Sequence, residues 1–319
     1  MLKIAVSMGD PAGVGPELLA KAVAEKKFSS KCEFILYGER SVLEEALHRY
    51  APEIDIEKVK IIESSKLIDF DKMKTGEADG VCGKAAFEAV KMAAQSVIDG
   101  ENDALVTAPV NKYSVNLAGI EFSGHTEMIA EMCGNCDYAM MQSSGKLHVA
   151  FVTTHIPIAK VASSISKQRI LNVAHMLVEA LHSEGIKEPH LAVMALNPHA
   201  GENGCMGSED EEITKVAVAE LQAANILVDG PVVPDVLFVR GRYEKYDGIL
   251  SMYHDQGHIP FKMLAFTSGV NSTIGLPIIR CSPDHGSAFD IAWRDGGCCD
   301  TGSFFAAVEL AIKRAERKK

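Results

Sequence analysis

The sequence predicts an α/β fold with a mostly parallel sheet, and three observations support this prediction. The chain has 319 residues and is 47% hydrophobic but only 6% aromatic, with 26 glycines. Short apolar runs alternate with stretches of helical periodicity along its whole length. The apolar runs are continuous, as expected for strands that helices cover on both faces. Strands that alternate with helices form βαβ units, and a chain of this length can fill two such lobes.

The first half of the chain supplies three predicted strands. Residues 2–8 form an apolar run that ends in a Gly/Pro turn, and a helix follows from about Pro16, which suits a first helical turn. Residues 33–38 and 104–110 are the next two apolar runs. Between them, the Ala-rich segment 83–97 has the pattern of a helix. These elements together predict the start of a parallel sheet.

The second half continues the same alternation. Four further strands are predicted at residues 147–154, 191–196, 248–253 and 276–282. A helical stripe is formed by Ile170, Val173, Ala174, Leu177 and Leu181. The last helix is expected to begin near Thr301 or Ser303 and to end in basic residues that complement its dipole. We expect a two-lobed α/β/α architecture with the active site in the interdomain cleft, one lobe comprising roughly residues 1–115 plus 265–319 and the other 116–264.

Composition excludes several classes of function. The formal net charge of −11 disfavours nucleic-acid binding, because an acidic protein has no general electrostatic attraction to phosphate backbones. The sequence has neither a signal-peptide pattern nor an apolar run long enough to span a membrane, so a cytoplasmic location is expected. The 8 cysteines lack the spacing of a secreted disulfide framework. Cys133 and Cys136 form a single CxxC, for which packing is favoured over redox chemistry.

Three histidines follow predicted strands at the point where each strand ends. They are His155, His199 and His254. Open α/β folds place ligands at this end of their strands, and neutral imidazole is a common ligand of divalent metals. Their separation is too long for a local metal clip, so a shared metal site would have to be assembled by the tertiary fold or by a dimer. The alternative is that each histidine only makes ordinary hydrogen bonds.

A second group of residues suggests an anionic substrate. His125 and Thr126, in the motif GHTE, stand at a predicted helix start, where free N–H groups favour anions. Thr126 could instead serve only as a helix cap. Lys262, Asn271 and Arg280 follow at equal spacing, and a charge in an apolar strand such as that of Arg280 is costly unless it meets an anion. Taken singly, Lys262 or Arg280 is better explained by a surface ion pair.

The segment 7–17, SMGDPAGVGPE, follows the first strand and opens a helix. Its glycines, Gly13 among them, allow close approach of another group to the backbone. The spacing is neither that of a Rossmann fingerprint nor that of a Walker A loop. A tight strand-to-helix connection is the simpler alternative.

Residues 284–292, DHGSAFDIA, closely resemble the cofactor loop of the isocitrate and isopropylmalate dehydrogenases, which bind NAD(P) without a Rossmann fingerprint. More specifically, seven motifs occur in the order seen in the 4-hydroxythreonine-4-phosphate dehydrogenase family, over residues 4–310: MGDPAGVGPE, TAPVNK, GHTE, TTHIP, NPHAGE, MYHDQGH and DHGSAFDIA. After the last motif the chain departs from the family pattern at Trp293 and Arg294 and in the Gly-Gly-Cys-Cys run. That departure bears on the cofactor pocket.

The resemblance implies a fold like that of the isocitrate and isopropylmalate dehydrogenases, NAD as cofactor, one divalent metal ion (zinc, magnesium or cobalt), and a homodimer with its active site at the subunit interface. It implies metal binding by His155, His199 and His254. Substrate binding would fall to His125, Thr126, Lys262, Asn271 and Arg280. The residues expected to bind the cofactor are Gly13, His285, Gly286, Ser287 and Asp290.

The reaction expected from this resemblance is oxidation of a 4-phosphorylated β-hydroxy acid, followed by decarboxylation. The substrate could be 4-phosphohydroxy-threonine, D-threonate 4-phosphate or D-erythronate 4-phosphate. Lys262, Asp255 and a water molecule are the candidates for the proton acceptor. Two alternatives stay open: a metal-dependent phosphate-ester hydrolase, which would not need the 284–292 loop, and a dihydrodiol dehydrogenase from another branch of the family.

Overall fold

The fold was described from a computed structural model, which describes residues 1–239 and 241–319. The chain divides into two compact units. Unit 1 comprises residues 1–137 and 276–319, and unit 2 comprises residues 138–275. The sequence placed these boundaries near residues 115 and 265. Both units are α/β, as the sequence predicted.

The first stretch of unit 1 alternates strands with helices. Its elements are β1 (Leu2–Ser7), α1 (Gly15–Ala24), α2 (Lys26–Ser29), β2 (Cys32–Gly38), α3 (Arg40–Tyr50), β3 (Lys60–Glu63), α4 (Gly80–Ile98), β4 (Ala104–Thr107), α5 (Lys112–Leu117) and α6 (His125–Met132). The predicted strands at residues 2–8, 33–38 and 104–110 are therefore present. Strand β3 was not predicted, because only four residues form it and two of them are charged.

Unit 2 follows with six strands and five helices in the described residues. They are β5 (Ala139–Ser144), β6 (Leu147–Phe151), α7 (Val161–Ser164), α8 (Lys167–Ser183), β7 (Leu191–Met194), α9 (Lys215–Ala223), β8 (Val228–Val232), α10 (Pro234–Leu237), β9 (Gly248–Ser251), α11 (His254–Ala265) and β10 (Val270–Ile274). The chain then returns to unit 1 with β11 (Arg280–Pro283) and α12 (Gly302–Lys318). The strand predicted at 276–282 thus begins at Arg280 instead of carrying this residue near its end.

The strands of unit 1 are all parallel, in the order β3-β2-β1-β4-β11. In unit 2 the order is β10-β5-β6-β9-β7-β8. There β5 is antiparallel to both of its neighbours, whereas β6, β9, β7 and β8 run parallel. The parallel strands bring the ends of β6, β9 and β7 to one edge, and the three predicted metal-binding histidines follow these strands.

Each unit buries its own apolar core. In unit 1, α4 lies against β1, β2 and β4, and its alanines share a cluster with Ile35, Tyr37 and Leu105. In unit 2, the α8 stripe predicted from the sequence is buried with strand residues such as Val193 and Leu250. None of the helices in the described part of the chain combines the length and apolar character that a membrane span requires.

Candidate active-site residues

His254 stands at the first position of α11, three residues after the end of β9. The turn before it is fixed by the Gln256 side chain. The Gln256 Oε1 atom accepts a hydrogen bond from the Met252 amide at 2.7 Å, and its Nε2 atom donates to the Ala195 carbonyl at 2.7 Å. One side chain therefore ties the start of α11 to the segments that follow β9 and β7. The backbone that carries His254 is held on both sides.

The His254 ring is oriented by its neighbour in the sequence. Its Nδ1 atom lies 2.6 Å from Oδ1 of Asp255. When Nδ1 donates its proton to this carboxylate, Nε2 is left with its lone pair available to a ligand. A carboxylate in this position is the usual outer partner of a metal-binding imidazole. The chemistry of this pair therefore suits a divalent cation.

Two further imidazoles lie beside His254, and we call His155, His254 and His258 the histidine cluster. The ring centroids of His155 and His254 are 5.6 Å apart. His258 lies one helical turn after His254, and the two rings stack with centroids 4.5 Å apart and an interplanar angle of 10°. The ring of Phe151, the last residue of β6, stacks on the His254 ring with centroids 6.1 Å apart. The structure thus brings two of the three predicted metal ligands together.

The third predicted ligand, His199, lies in a turn of unusual backbone conformation. Residues 199–203 all have positive φ angles, starting at 53° for His199. The turn is supported by the buried Asp210 carboxylate, which accepts hydrogen bonds from the amides of Leu196 and Asn197, both at 2.8 Å. Over residues 1–239 and 241–319, no three His, Cys, Asp or Glu side chains are arranged to hold one metal ion. A single chain therefore does not place His199 with the other two rings.

The predicted substrate residues of unit 2 are Lys262 and Asn271. Lys262 lies on α11, two turns beyond His254, and its ammonium is 5.8 Å from the centre of the Phe266 ring. Asn271 lies in β10, opposite Gln142 of β5. Both side chains are only partly exposed. They belong to elements that are well fixed by helix and sheet hydrogen bonds.

In unit 1, Arg280 is a buried cation. Only 3% of this residue is exposed, and its Nη2 atom donates a hydrogen bond to Oγ1 of Thr107 at 2.8 Å. Burial lowers the Arg280 pKa to about 10, which still leaves the guanidinium charged at neutral pH. The Glu127 carboxylate also acts on Arg280, and a buried guanidinium of this kind is chemically suited to pair with an anion.

His125 lies close to Arg280 at the first position of α6. The residue is partly exposed, but its Nε2 atom is buried and has no hydrogen-bond partner within the described residues. Burial lowers the His125 pKa well below its usual value, and the positive charges of Arg280 and Lys112 lower it further. His125 is therefore a neutral imidazole. Thr126 follows it in the first turn of α6, as the sequence predicted.

The two loops expected to bind the cofactor pack against each other in unit 1. The Val14 amide donates to the Ser287 carbonyl at 3.0 Å, and Nε1 of Trp293 donates to the Pro11 carbonyl at 2.8 Å. Gly13 is required here, because a Cβ at this position would stand 2.7 Å from the Ser287 carbonyl oxygen. Segments 8–14 and 284–293 therefore form one rigid platform.

The outer side of this platform is accessible to a ligand. His285, Gly286 and Asp290 are exposed, whereas Ser287 is buried. The Oγ atom of Ser287 has no hydrogen-bond partner in the part of the chain that the structure describes. The backbone is fixed further by the Asp284 amide, which donates to Oγ of Ser303 at 2.9 Å. These features fit a loop that binds a cofactor with its exposed face.

Residue Trp293, where the sequence departs from the family pattern, is part of this platform. It is buried, and its ring packs 4.8 Å from Phe70 and 6.0 Å from Tyr50. The Arg49 guanidinium lies 5.7 Å from the Trp293 ring centroid. Trp293 thus supports the loop from its buried side, whereas Arg294, which belongs to the same departure, is exposed.

Asp10, in the first of these loops, is a buried carboxylate. Its Oδ1 atom accepts a hydrogen bond from the Ala12 amide at 3.0 Å. Burial raises the Asp10 pKa to about 6, although Ser114 and the backbone amides partly offset the shift. The Asp10 amide also donates to the Pro109 carbonyl at 2.8 Å. Loop 8–14 therefore also supports the segment that begins at Thr107.

The residues of these arrangements that were not among the predicted site residues include Thr107, Lys112, Gln256, His258 and Trp293. Thr107 and Lys112 begin and end the TAPVNK motif, so the motif itself was the available signal. Gln256 lies inside the MYHDQGH motif and gave the same kind of signal. Nothing in the sequence indicates that Trp293 would face inward.

Comparison with known proteins gives a consistent result over almost the whole chain. Residues 30–311 match the family model described as "Pyridoxal phosphate biosynthetic protein PdxA". A 4-hydroxythreonine-4-phosphate dehydrogenase from Aquifex aeolicus is 42% identical over 92% of each chain. A protein of Oceanobacillus iheyensis, named "Putative D-threonate 4-phosphate dehydrogenase", is 38% identical over 99% of this chain and 98% of its own.

A solved structure gives the same picture. The crystal structure of 4-hydroxythreonine-4-phosphate dehydrogenase from Klebsiella pneumoniae superposes with a TM-score of 0.84 at 37% identity. The match covers 99% of this chain and 100% of that one.

Proposed function

This chain belongs to the PdxA family, and relatives similar to it are named as dehydrogenases. We propose that it oxidises a 4-phosphorylated β-hydroxy acid with NAD and a divalent metal ion, and then decarboxylates the product. The single observation that carries the proposal is the histidine cluster, in which His155 and an Asp255-oriented His254 lie with their rings 5.6 Å apart. The buried guanidinium of Arg280 supports an anionic substrate.

The candidate substrates differ only near the carboxylate. The relatives' names point to 4-hydroxythreonine 4-phosphate and to D-threonate 4-phosphate, and D-erythronate 4-phosphate has the same functional groups as the latter. Each carries a carboxylate, a hydroxyl on the β carbon and a terminal phosphate. In unit 1, Arg280, His125 and Thr126 are proposed to bind the substrate's anionic groups. In unit 2, Lys262 and Asn271 are proposed to share this role.

The neutral state of His125 fits this role. A neutral ring can accept a hydrogen bond at one nitrogen and donate one from the other. Its buried Nε2 atom is ready to donate to a phosphate or carboxylate oxygen, provided that the proton sits on Nε2. Arg280 would attract the anion by its charge, and His125 would orient it through a directional hydrogen bond.

The metal would be held by the Nε2 atoms of His254 and His155, with His199 as the third ligand. A divalent ion there would supply Lewis acidity toward the oxygen on the substrate's β carbon. Because one chain does not gather all three rings, we propose that His199 acts from a second copy of the chain, in a homodimer. Its exposed position on a rigid turn is suited to reaching across such an interface. Zinc, cobalt and magnesium remain the candidate ions.

The hydride acceptor would bind on the platform formed by segments 8–14 and 284–293. Bound NAD would supply the electron sink for oxidation of the β-hydroxyl. Gly13 allows the two loops to approach closely, and His285, Gly286 and Asp290 present polar groups on the exposed face. The Ser287 hydroxyl is proposed to complete its hydrogen bonding with the ligand.

The reaction removes a hydride and a proton from the substrate, and the resulting β-keto acid loses carbon dioxide to give a phosphorylated ketone. The Asp255 carboxylate is engaged with His254, so its role here is to orient that ring. The proton acceptor would then be a water molecule, or Lys262 if it is in its neutral amine form. Lys262 lies on the same helix as His254.

A phosphate-ester hydrolase is the rival class. The histidine cluster and Arg280 would suit it equally well. The platform would not, because hydrolysis needs no nucleotide cofactor. A dihydrodiol dehydrogenase would also need the platform, and its carboxylated substrate could use Arg280 as well. The phosphorylated acids are favoured because relatives at 38% and 42% identity are named for them, whereas a terephthalate dihydrodiol dehydrogenase of known structure is 28% identical.

A turnover screen tests the proposal. Each of the three phosphorylated acids is incubated with NAD and with zinc, cobalt or magnesium, and three products are followed: reduced nicotinamide, carbon dioxide and inorganic phosphate. The proposal predicts equal amounts of reduced nicotinamide and carbon dioxide. Release of phosphate without reduced nicotinamide would establish the hydrolase instead.

A further inference from the structure

We propose that Lys112 is a further substrate-binding residue, whose ammonium group binds the substrate's terminal phosphate beside Arg280 and His125. The proposal rests on the phosphorylated substrate assigned above. It concerns unit 1 alone, and we call Thr107, Lys112, His125 and Arg280 the anion cluster.

The position of Lys112 is given by its approach to the start of α6. A Cβ on Gly124, the residue before His125, would stand 3.5 Å from both Cε and Nζ of Lys112. The same Cβ would stand 2.8 Å from Oε2 of Glu127. The ammonium therefore lies directly against the turn that presents His125 and Thr126. A Cβ at position 124 would be in van der Waals contact with Lys112, and the Glu127 carboxylate would have to shift.

The charges around His125 favour the binding of an anion. Two cations, Lys112 and Arg280, both act on His125 and lower its pKa. The His125 ring is consequently neutral and adds no positive charge of its own. Glu127 also acts on Arg280 and would oppose an anion. Lys112 supplies a second positive charge near that of Arg280, which favours a phosphate that carries up to two negative charges.

Lys112 also belongs to the same short segment as the hydrogen-bond partner of Arg280. Thr107 ends β4 and accepts the Arg280 hydrogen bond, and Lys112 begins α5 five residues later. The segment is fixed by the Asp10 amide, which donates to the Pro109 carbonyl, and by Asn111, whose Oδ1 atom accepts from the Ser114 amide at 3.0 Å. Both ends of one rigid segment thus contribute to the anion cluster.

A lysine suits this place because it is exposed. A compact ammonium on a flexible stem can follow a phosphate as it enters, whereas the buried Arg280 fork stays fixed. We therefore assign capture of the phosphate to Lys112 and its orientation to Arg280.

The first experiment uses inorganic phosphate as the probe and needs no turnover. Phosphate is titrated calorimetrically into the full-length protein and into Lys112→Met, Lys112→Arg and Lys84→Met. Lys84 is an exposed lysine on α4 of the same unit and serves as the matched control. We expect phosphate to bind about 10- to 100-fold more weakly to Lys112→Met, because a charged hydrogen bond is lost. Lys112→Arg should recover most of the affinity, and Lys84→Met should not change it.

Equal affinity of Lys112→Met and the unchanged protein for phosphate would overturn the proposal, as would the absence of any phosphate binding to the unchanged protein. Melting curves show whether each of the four proteins is folded. If Lys112→Met does not fold, the phosphate affinity of Lys112→Arg is compared with that of the unchanged protein instead.

The second experiment separates phosphate from carboxylate binding. Steady-state kinetics are measured with the phosphorylated acid and with the same acid lacking phosphate. Lys112→Met should raise KM for the phosphorylated acid about 10-fold or more, with little change in kcat, and should leave the unphosphorylated acid unaffected. An equal loss for both acids would assign Lys112 to the carboxylate and refute the phosphate role. If the unchanged protein oxidises none of these acids, the proposed function fails, while the calorimetric result for Lys112 still stands.

Discussion

The anion cluster of unit 1 and the histidine cluster of unit 2 are built in opposite ways. Arg280 is 3% exposed and is held by Thr107, and the Nε2 atom of His125 is buried. In contrast, His155 and His199 are exposed. His254 is oriented by the Asp255 carboxylate, and the turn before it is fixed by the Gln256 side chain. Arg280 and the Nε2 atom of His125 are thus buried in place before a ligand arrives, and Lys112 is the exposed member of the anion cluster, whereas one chain assembles only part of the proposed metal site in its described residues.

The difference follows from the ligands that we propose. An anion must be desolvated, so its donors are best fixed and buried beforehand. A metal ion provides its own strong bonds and can draw flexible imidazoles together. The preorganised cluster should therefore be sensitive to the geometry of its groups, and the open cluster to the number of its ligands.

The largest effect is expected from His254→Ala. Loss of this ligand should weaken binding of a divalent ion by about 100-fold or more, since even outer partners of metal ligands contribute 10- to 100-fold. Turnover should fall below detection while the melting temperature of the metal-free protein stays unchanged. His175→Ala, at an exposed histidine of α8 in the same unit, is the control. Undiminished metal binding would show that the open cluster is not a metal site.

Arg280→Lys tests whether geometry matters in the anion cluster. The charge is kept, but the planar fork and its bond to Thr107 are lost, so KM for the phosphorylated acid should rise about 10- to 100-fold. Arg317→Lys, at an exposed arginine of α12, should leave KM unchanged. If Arg280→Lys also leaves KM unchanged, the cluster responds to charge alone and the contrast between the two clusters is lost.

Asp10→Asn tests the support beneath the anion cluster. The folded-state pKa of Asp10 is about 6, above the usual 3.8, so its contribution to stability is fully present below about pH 4 and is lost as the pH rises through 6. The loss amounts to up to about 3 kcal/mol. The free energy of unfolding of Asp10→Asn, measured in urea from pH 4 to 7, should lack this decline. Asp71→Asn, at an exposed aspartate of unit 1, should retain it. Equal slopes for all three proteins would argue against a buried, protonated Asp10.

The smallest effect is expected from Asp255→Asn. The amide oxygen can still accept the Nδ1 proton of His254, but the negative charge is gone, so metal affinity should fall about 10-fold. Metal titration followed by calorimetry measures the change, with the exposed Asp235→Asn in unit 2 as control. A loss as large as that of His254→Ala would mean that Asp255 itself binds the metal.

Much of this arrangement could be predicted because local sequence carries it. The continuous apolar runs at β1, β2, β4, β6, β7 and β9 predicted strands of the sheet. The histidines that follow three of these runs, His155, His199 and His254, were predicted as metal ligands. GHTE gave the start of α6 at His125, since Gly before a polar turn commonly begins a helix.

The rest depends on contacts that no local pattern encodes. Strands β5 and β10 carry polar residues such as Gln142 and Asn271, so they lack the continuous apolar run of the others. The five consecutive positive φ angles begin at His199, directly after the segment whose Leu196 and Asn197 amides bond the distant Asp210 carboxylate. Lys112 gains its place through Gly124, twelve residues away. Long-range packing decides each of these features.

Loop 8–14 makes hydrogen bonds on two sides. Through Val14 and Pro11 it contacts the segment that is proposed to receive the nucleotide, and through Asp10 it contacts the segment that carries Thr107 and Lys112. If a bound nucleotide restricts loop 8–14 further, less entropy is left to be lost when the anion binds on the other side. Thermodynamic linkage makes the benefit mutual: each ligand should tighten the binding of its companion by the same factor.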